Sequence, residues 1–200
     1  MDALKEVIDF IHEQPGRPFV LLDAKRGDID KTANAYAHAS FKTMGADCVT
    51  VNPYMGIDTL KPFLAHASNG IFALCKTSNP GSNDFQTVKL ADSGEMLYER
   101  VAKFCVGSGG ELSGQVGLVV GATDVEAMRT VRSKFPSVWI LAPGVGAQGG
   151  DLTSALTAGI NRTTKSGILI AVSRQISKAA DPGAEALAIV TATRRFLENV

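Results

Sequence analysis

Asp23-Ala24-Lys25-Arg26-Gly27-Asp28-Ile29 follows the apolar run Pro18-Phe19-Val20-Leu21-Leu22. The run reads as a buried strand, and alternate strand residues point to one face. Asp23 and Lys25 therefore share a face, while Asp28 lies beyond the strand in the next loop. Burying an acid and a base together at a strand end costs desolvation that stability alone rarely justifies. A carboxylate and an ammonium held side by side can repel one charge of a ligand and deliver a proton to another of its atoms. The end of the first strand is thus marked as a place where chemistry is carried.

Working outward, helical and strand patterns alternate along the whole chain. Leu4, Val7, Ile8 and Ile11 have helical spacing, stopped by Gln14-Pro15-Gly16. The first strand is read over 19–22. Ala33, Tyr36, Ala37, Phe41 and Met44 mark the next helix, ended by Gly45. Further strands are read at 48–51, 71–75, 116–120, 138–141 and 168–172. Helices between and after them carry Leu60 and Phe63, Leu97 and Val101, Val125 and Met128, Leu152 and Leu156, and Leu187 and Val190. The glycine-rich stretch 107–114 is expected to be mobile.

Near-continuous apolar strands between amphipathic helices indicate a parallel sheet covered by helices, an α/β fold. Two architectures compete, an open doubly wound sheet and a closed (β/α)8 TIM barrel. Polar or glycine residues follow nearly every strand: Asp23/Lys25, Asn52/Tyr54, Lys76/Ser78, Gly121/Thr123, Gly144/Gln148 and Ser173/Arg174. A barrel builds its site from many strand ends, a Rossmann sheet from one or two, so the pattern favours the barrel. A barrel needs eight strands and typically about 250 residues. The six βα units here, opened by a lone helix, lead to the expectation of a barrel lacking its first two strands.

Composition sets the bounds. The 200 residues, 45% hydrophobic and 20% charged, read as one domain spanning 1–200. Zero formal net charge implies no general attraction to nucleic acid or to anionic membranes. No apolar run approaches the roughly 20 residues of a membrane helix. The N-terminal Met1-Asp2-Ala3-Leu4-Lys5-Glu6 is acidic and unlike a signal peptide. Cys48, Cys75 and Cys105 are odd in number and form no CxxC pair, which suggests buried reduced thiols in a cytoplasmic protein.

Pro143-Gly144-Val145-Gly146-Ala147-Gln148-Gly149-Gly150-Asp151 follows a strand and opens a helix. Its glycines let the backbone approach a ligand, and a helix N-terminus favours an anion. It lacks both the Walker and the GxGxxG spacing. The stretch is equally a turn with Asp151 as N-cap. Arg174 follows the last strand, and barrels commonly bind phosphate between the loops after their last two strands. The pairing favours a shared phosphate grip over a surface arginine. The loop at 77–86 is polar and by itself only a loop. His12, His38 and His66 are isolated, so no metal site is expected. Lys76 could face the barrel mouth or the solvent, and the solvent reading is preferred.

Together these motifs resemble the orotidine 5′-monophosphate decarboxylase family. Asp23-Ala24-Lys25-Arg26-Gly27-Asp28-Ile29 is similar to its DxKxxDI signature. The Thr77-Ser78-Asn79-Pro80-Gly81-Ser82 loop, the 143–150 loop and Ser173-Arg174 follow in the family's order, and the branch carrying DAKRGDI and TSNPGS is the most similar. The resemblance implies cofactor-free decarboxylation of orotidine monophosphate to uridine monophosphate in pyrimidine synthesis. Asp23 would crowd the substrate carboxylate. Lys25 would stabilise and protonate the carbon left behind. Asp28, Ile29 and Thr32 would reach into the partner's site of a homodimer, with Asp28 binding ribose hydroxyls. Ser78 would contact the pyrimidine, Pro143 and Val145 would line its pocket, and Gln148 and Arg174 would hold the phosphate. The family's second lysine and its strand-one aspartate have no assignable counterpart here. Alternatives are another phosphosugar lyase of the superfamily and an incomplete nucleotide-binding barrel. Fusion or partnership with orotate phosphoribosyltransferase is a further implication.

Overall fold

The computed structural model describes residues 2–107, 115–146 and 148–200. The chain divides into two compact units. The first comprises Met1–Leu74 and Lys103–Gly117, the second Cys75–Ala102 and Leu118–Val200. The stretch expected to be mobile, 107–114, lies outside the described residues except for Gly107.

The first unit opens with α1 (Asp2–His12), whose acidic first turn and basic last turn complement the helix dipole. It buries Ile8 against Val20, Met44 and Ala46, with Ile11 and Leu22 packed on them. β1 (Leu21–Arg26), β2 (Cys48–Val51) and β3 (Gly70–Lys76) follow. β1 pairs parallel to β2 from Leu21↔Cys48, and β2 to β3 from Cys48↔Gly70 to Val51↔Ala73. α2 (Asp30–His38) continues into a π-helical turn, Ala39–Thr43. α3 (Ile57–Leu60) and a 3-10 turn, Lys61–Leu64, then bury Leu60, Phe63 and Leu64. Phe41 meets Phe63 edge to face with ring centroids 6.4 Å apart.

All four β2 residues are buried, as in a parallel strand covered on both faces. β1 differs from its expectation. It begins two residues later than read, runs through Asp23 and Lys25, and buries none of its residues. Phe19 is left 58% exposed. The reason is that β1 pairs only with β2 among the described strands, so one edge has no cover.

Asp47, just before β2, ties down the end of α1 and the segment leading into β1. It accepts hydrogen bonds from the Val20 amide at 2.8 Å, from His12 Nε2 at 2.9 Å and from Arg17 Nη1 at 2.9 Å. Burial alone would raise its carboxyl pKa, but these bonds and the Arg17 charge outweigh it, and the net direction is down. Burial pushes the Cys48 and Cys105 thiols up to about 12, which keeps them inert.

In the second unit, α4 (Leu97–Gly107, through Ala102), β4 (Val116–Val120, from Leu118), α5 (Val125–Lys134), β5 (Ile140–Pro143), α6 (Leu152–Gly159) and β6 (Ile168–Ala171) alternate. β4 pairs parallel to β5 at Leu118↔Ile140, and β5 to β6 from Ile140↔Ile168 to Pro143↔Ala171. A short α7 (Arg174–Ser177), not legible in the sequence, precedes α8 (Pro182–Glu198). Asp124, Asp151 and Asp181 cap α5, α6 and α8 through their carboxylates. Arg132 donates to the carbonyls of Pro136, Val138, Gly159 and Gly167, each at 2.7 Å, and so clamps the connections on either side of β5. Burial lowers its pKa to about 10. β6 is only half-buried along its length, and α8 buries no residue.

Candidate active site

The first unit holds Asp23 and Lys25 at the end of β1. Lys25 Nζ donates to Asp23 Oδ1 at 2.7 Å, and Thr50 Oγ1 donates to the same oxygen at 2.8 Å. The Lys25 backbone N–H donates in turn to Thr50 Oγ1 at 2.9 Å. Thr50 is wholly buried on β2. Sequence reasoning passed over it, although a threonine inside Cys48-Val49-Thr50-Val51 was the available signal.

Lys25 sits at φ +46°, in the left-handed region, where a non-glycine residue costs about 1–3 kcal/mol. The β1–β2 register slips between Leu22 and Arg26. Strain and slip together turn the ammonium back toward Asp23. The pair is not buried as expected: the side chains are 53% and 59% exposed. Both the uncovered β1 edge and the twist at Lys25 account for that. An exposed pair of this kind contributes only about 0–1 kcal/mol, so it is poorly explained as a stabilising device.

Asp28 is half-buried and accepts from the Ile29 N–H at 2.8 Å. Ile29 is 58% exposed, and Thr32 is exposed on the first turns of α2. The Arg26 guanidinium lies over the Tyr36 ring at 4.9 Å, which anchors the chain between the Asp23–Lys25 pair and α2.

The second unit holds the other predicted residues, Ser78 after β3, Pro143, Val145 and Gln148 at and after the end of β5, and Arg174 after β6. Ser78 Oγ donates to Gln148 Oε1 at 2.7 Å, so two residues predicted from separate loops meet. Thr123 Oγ1 donates to the Ser78 carbonyl at 3.3 Å. A Cβ on Gly121 would come 2.8 Å from Ser78 Cα, so only glycine lets the Ser78 backbone cross there. Pro143 is half-buried and Val145 buried. A cavity of about 530 Å³ is lined by Lys76, Thr77, Ser78, Ser82, Thr123 and Gln148, among others.

The glycine loop spends several amides on itself. Gly146 N–H donates to the Gly150 carbonyl, Gly149 N–H to that of Gly146, and Gly150 N–H to that of Gly144. Asp151 caps α6 by accepting from Ser154 N–H at 2.7 Å. The Ser154 hydroxyl, and after it this backbone bond, holds its carboxyl below the ordinary range. Gln175, rather than its neighbour Arg174, packs on the loop: a Cβ on Gly146 would come 1.9 Å from Gln175 Oε1. Arg174 is exposed at the start of α7.

Lys76 reverses its expectation. It is 2% exposed, with its ammonium 2.6 Å from Ser82 Oγ. The loop after β3 is also more ordered than its polarity suggested. Thr77 N–H donates to Gln86 Oε1 at 2.8 Å, and residues Pro80–Asp84 form a 3-10 turn. Among the described residues, no group of three or more His, Cys, Asp or Glu is placed to hold a metal ion, and no helix is long and apolar enough to cross a membrane.

Residues 5–189 match the model of the Orotidine 5'-phosphate decarboxylase / HUMPS family. The Orotidine 5'-phosphate decarboxylase of Roseiflexus castenholzii is 48% identical over 191 residues, covering 95% of this chain and 68% of that protein. Leishmania donovani OMP decarboxylase superposes with a TM-score of 0.88 at 44% identity, covering 98% of this chain and 74% of that one. Leishmania donovani UMP synthase gives 0.90 at 46% identity, with 98% of this chain and 42% of that one. The six strands are therefore those of a (β/α)8 barrel fold. The chain spans between 53% and 71% of the length of the curated relatives it matches.

Proposed function

The chain belongs to the orotidine 5'-phosphate decarboxylase / HUMPS family, and on that footing we propose that it converts orotidine 5′-monophosphate to uridine 5′-monophosphate. The observation that carries this reading is the Asp23–Lys25–Thr50 cluster at the end of β1. The bond from the pyrimidine carbon to its carboxylate breaks, the electron pair stays on carbon, and carbon dioxide leaves. Asp23 crowds the departing carboxylate with like charge. Lys25 faces the developing carbanion and delivers a proton to it. A preorganised ammonium at a carbon that gains charge only in the transition state is electrostatic catalysis.

Ser78 and Gln148, already bonded to one another, supply a hydroxyl and an amide to the base and phosphate. Pro143 and Val145 line the base pocket, and Arg174 gives a bidentate phosphate contact. The reaction so read uses no metal or organic cofactor. The same reading takes residues 1–200 as one decarboxylase domain, since the family match runs across both units. It makes the enzyme cytoplasmic and homodimeric, with Asp28, Ile29 and Thr32 entering the partner's site. The exposure of Ile29 supports that arrangement. The similarity to a UMP synthase supports a fusion or partnership with orotate phosphoribosyltransferase.

The test is loss of orotidine monophosphate in the presence of the purified chain, with Lys25→Ala as control. Turnover abolished by that change is the expected result. Turnover untouched by it would sink the proposal.

A further inference from the structure

Lys76 is the only buried charged side chain among the described residues. A buried ammonium survives only where its protons are taken up. It carries three, and three acceptors surround it: Ser82 Oγ at 2.6 Å, Asn83 Oδ1 at 3.3 Å and Asp124 Oδ2 at 3.4 Å. No proton is left over for a ligand in the adjoining cavity. The acceptors come from two features. Ser82 and Asn83 lie in the 3-10 turn after β3, and Asp124 is the N-cap of α5, with its Oδ1 engaged by Ala127 N–H at 3.0 Å.

We propose that Lys76 is a positioning residue. Its ammonium pins the Pro80–Asp84 turn to the N-terminus of α5, and so fixes Ser78 and Gln148 at the ligand-binding face of the second unit. Ser78 lies between the two pinned points. Its backbone crosses Gly121, its carbonyl accepts from Thr123 beside Asp124, and its hydroxyl sets the Gln148 amide. With the ammonium gone, the turn loses its tie to α5, and the Ser78 hydroxyl loses a fixed direction. This rests on the decarboxylase reading for the identity of the ligand, but not for the pinning.

The experiment compares the full chain with Lys76→Met, which keeps the stem and removes the charge. Amide hydrogen exchange is followed by mass spectrometry, with kcat, KM and uridine monophosphate affinity measured in parallel. Exchange over 77–87 should rise about tenfold while β5 is unchanged, the local opening expected when a bond to a charged group is lost. KM should rise about tenfold with kcat within about threefold. Added to Ser78→Ala, Lys76→Met should cost less than about twofold more, because both act through one hydroxyl. Ser82→Ala, which removes the shortest bond, gives the same pattern more weakly and serves if Lys76→Met does not fold. Unchanged exchange over 77–87, or effects that simply multiply with Ser78→Ala, would overturn the proposal. A chain that neither binds uridine monophosphate nor consumes orotidine monophosphate overturns the functional reading instead, and the exchange result then decides alone.

Discussion

Lys25 is the penultimate residue of β1 and Lys76 the last of β3, yet the two regions hold their ammonium groups in opposite ways. Lys25 is 53% exposed, has one carboxylate partner and sits on strained backbone. Lys76 is 2% exposed and has three acceptors from two elements. A group that must reach a substrate cannot be saturated by its own protein. A group that holds other groups in place must be. The residue type is the same, and enclosure separates the two proposed uses.

The contrast breaks most readily at Lys25. Lys25→Ala should lower kcat by about a thousandfold or more, the range for losing a positioned acid and its charge stabilisation. Its urea-unfolding stability should change by less than about 1 kcal/mol, as for an exposed pair. A large stability loss would mean that the pair is structural after all. Lys76→Ala should show the inverse balance, losing about 2–3 kcal/mol because buried Ser82 keeps its polar atom without the ammonium and half-buried Asp124 loses its ion partner. The measurement is the urea midpoint at unchanged slope.

The same contrast explains what was legible in the sequence. The βα alternation and the parallel strands followed from apolar runs between amphipathic helices, and the Ser78 and Gln148 loops were placed correctly at strand ends. The two lysines were read the wrong way round. Period and hydrophobicity assign a strand but not which of its edges is covered, and the exposure of β1 comes from its having one paired neighbour among the described strands. Lys76 follows Cys75 on an apolar strand, and nothing local shows that Ser82, Asn83 and Asp124 converge on it. Thr50 was hidden for a similar reason, since its role depends on a bond across to β1. Nothing local showed that Gln175, one residue beyond Arg174, packs on the glycine loop, because that follows from where α7 turns the chain.

Asp47 offers a smaller effect with a defined sign. Its carboxyl pKa is depressed in the folded state despite burial, through the Val20, His12 and Arg17 bonds. The folded state therefore binds fewer protons than the unfolded chain over the interval between the two pKa values. Its stabilisation is complete above the unfolded value, about 4, and drains away as pH falls through the folded one. Asp47→Asn should cost about 1–2 kcal/mol at neutral pH. The gap to the unmodified chain should narrow below about pH 4. Urea titrations of both proteins between pH 7 and pH 3 (values set by about that carboxyl range) check it, and a gap that widens in acid would be the wrong sign.

The smallest effect carries the comparison from charge to apolar surface. Leu118 on β4 is wholly buried, while Leu187 on α8 is 63% exposed and its helix buries no residue. Removing a buried leucine costs the transfer of its methyl groups plus the cavity left behind, about 2–5 kcal/mol in all. Removing an exposed one forfeits neither, because water already touches the side chain and no void forms. Leu187→Ala should stay within about 0.5 kcal/mol of the unmodified chain, and alanine's better helix propensity offsets part of even that. A loss comparable with that of Leu118→Ala, read from the urea midpoint of each variant, would mean that the exposed face of α8 is covered in solution. The division between open and enclosed groups would then have to be redrawn for this part of the molecule.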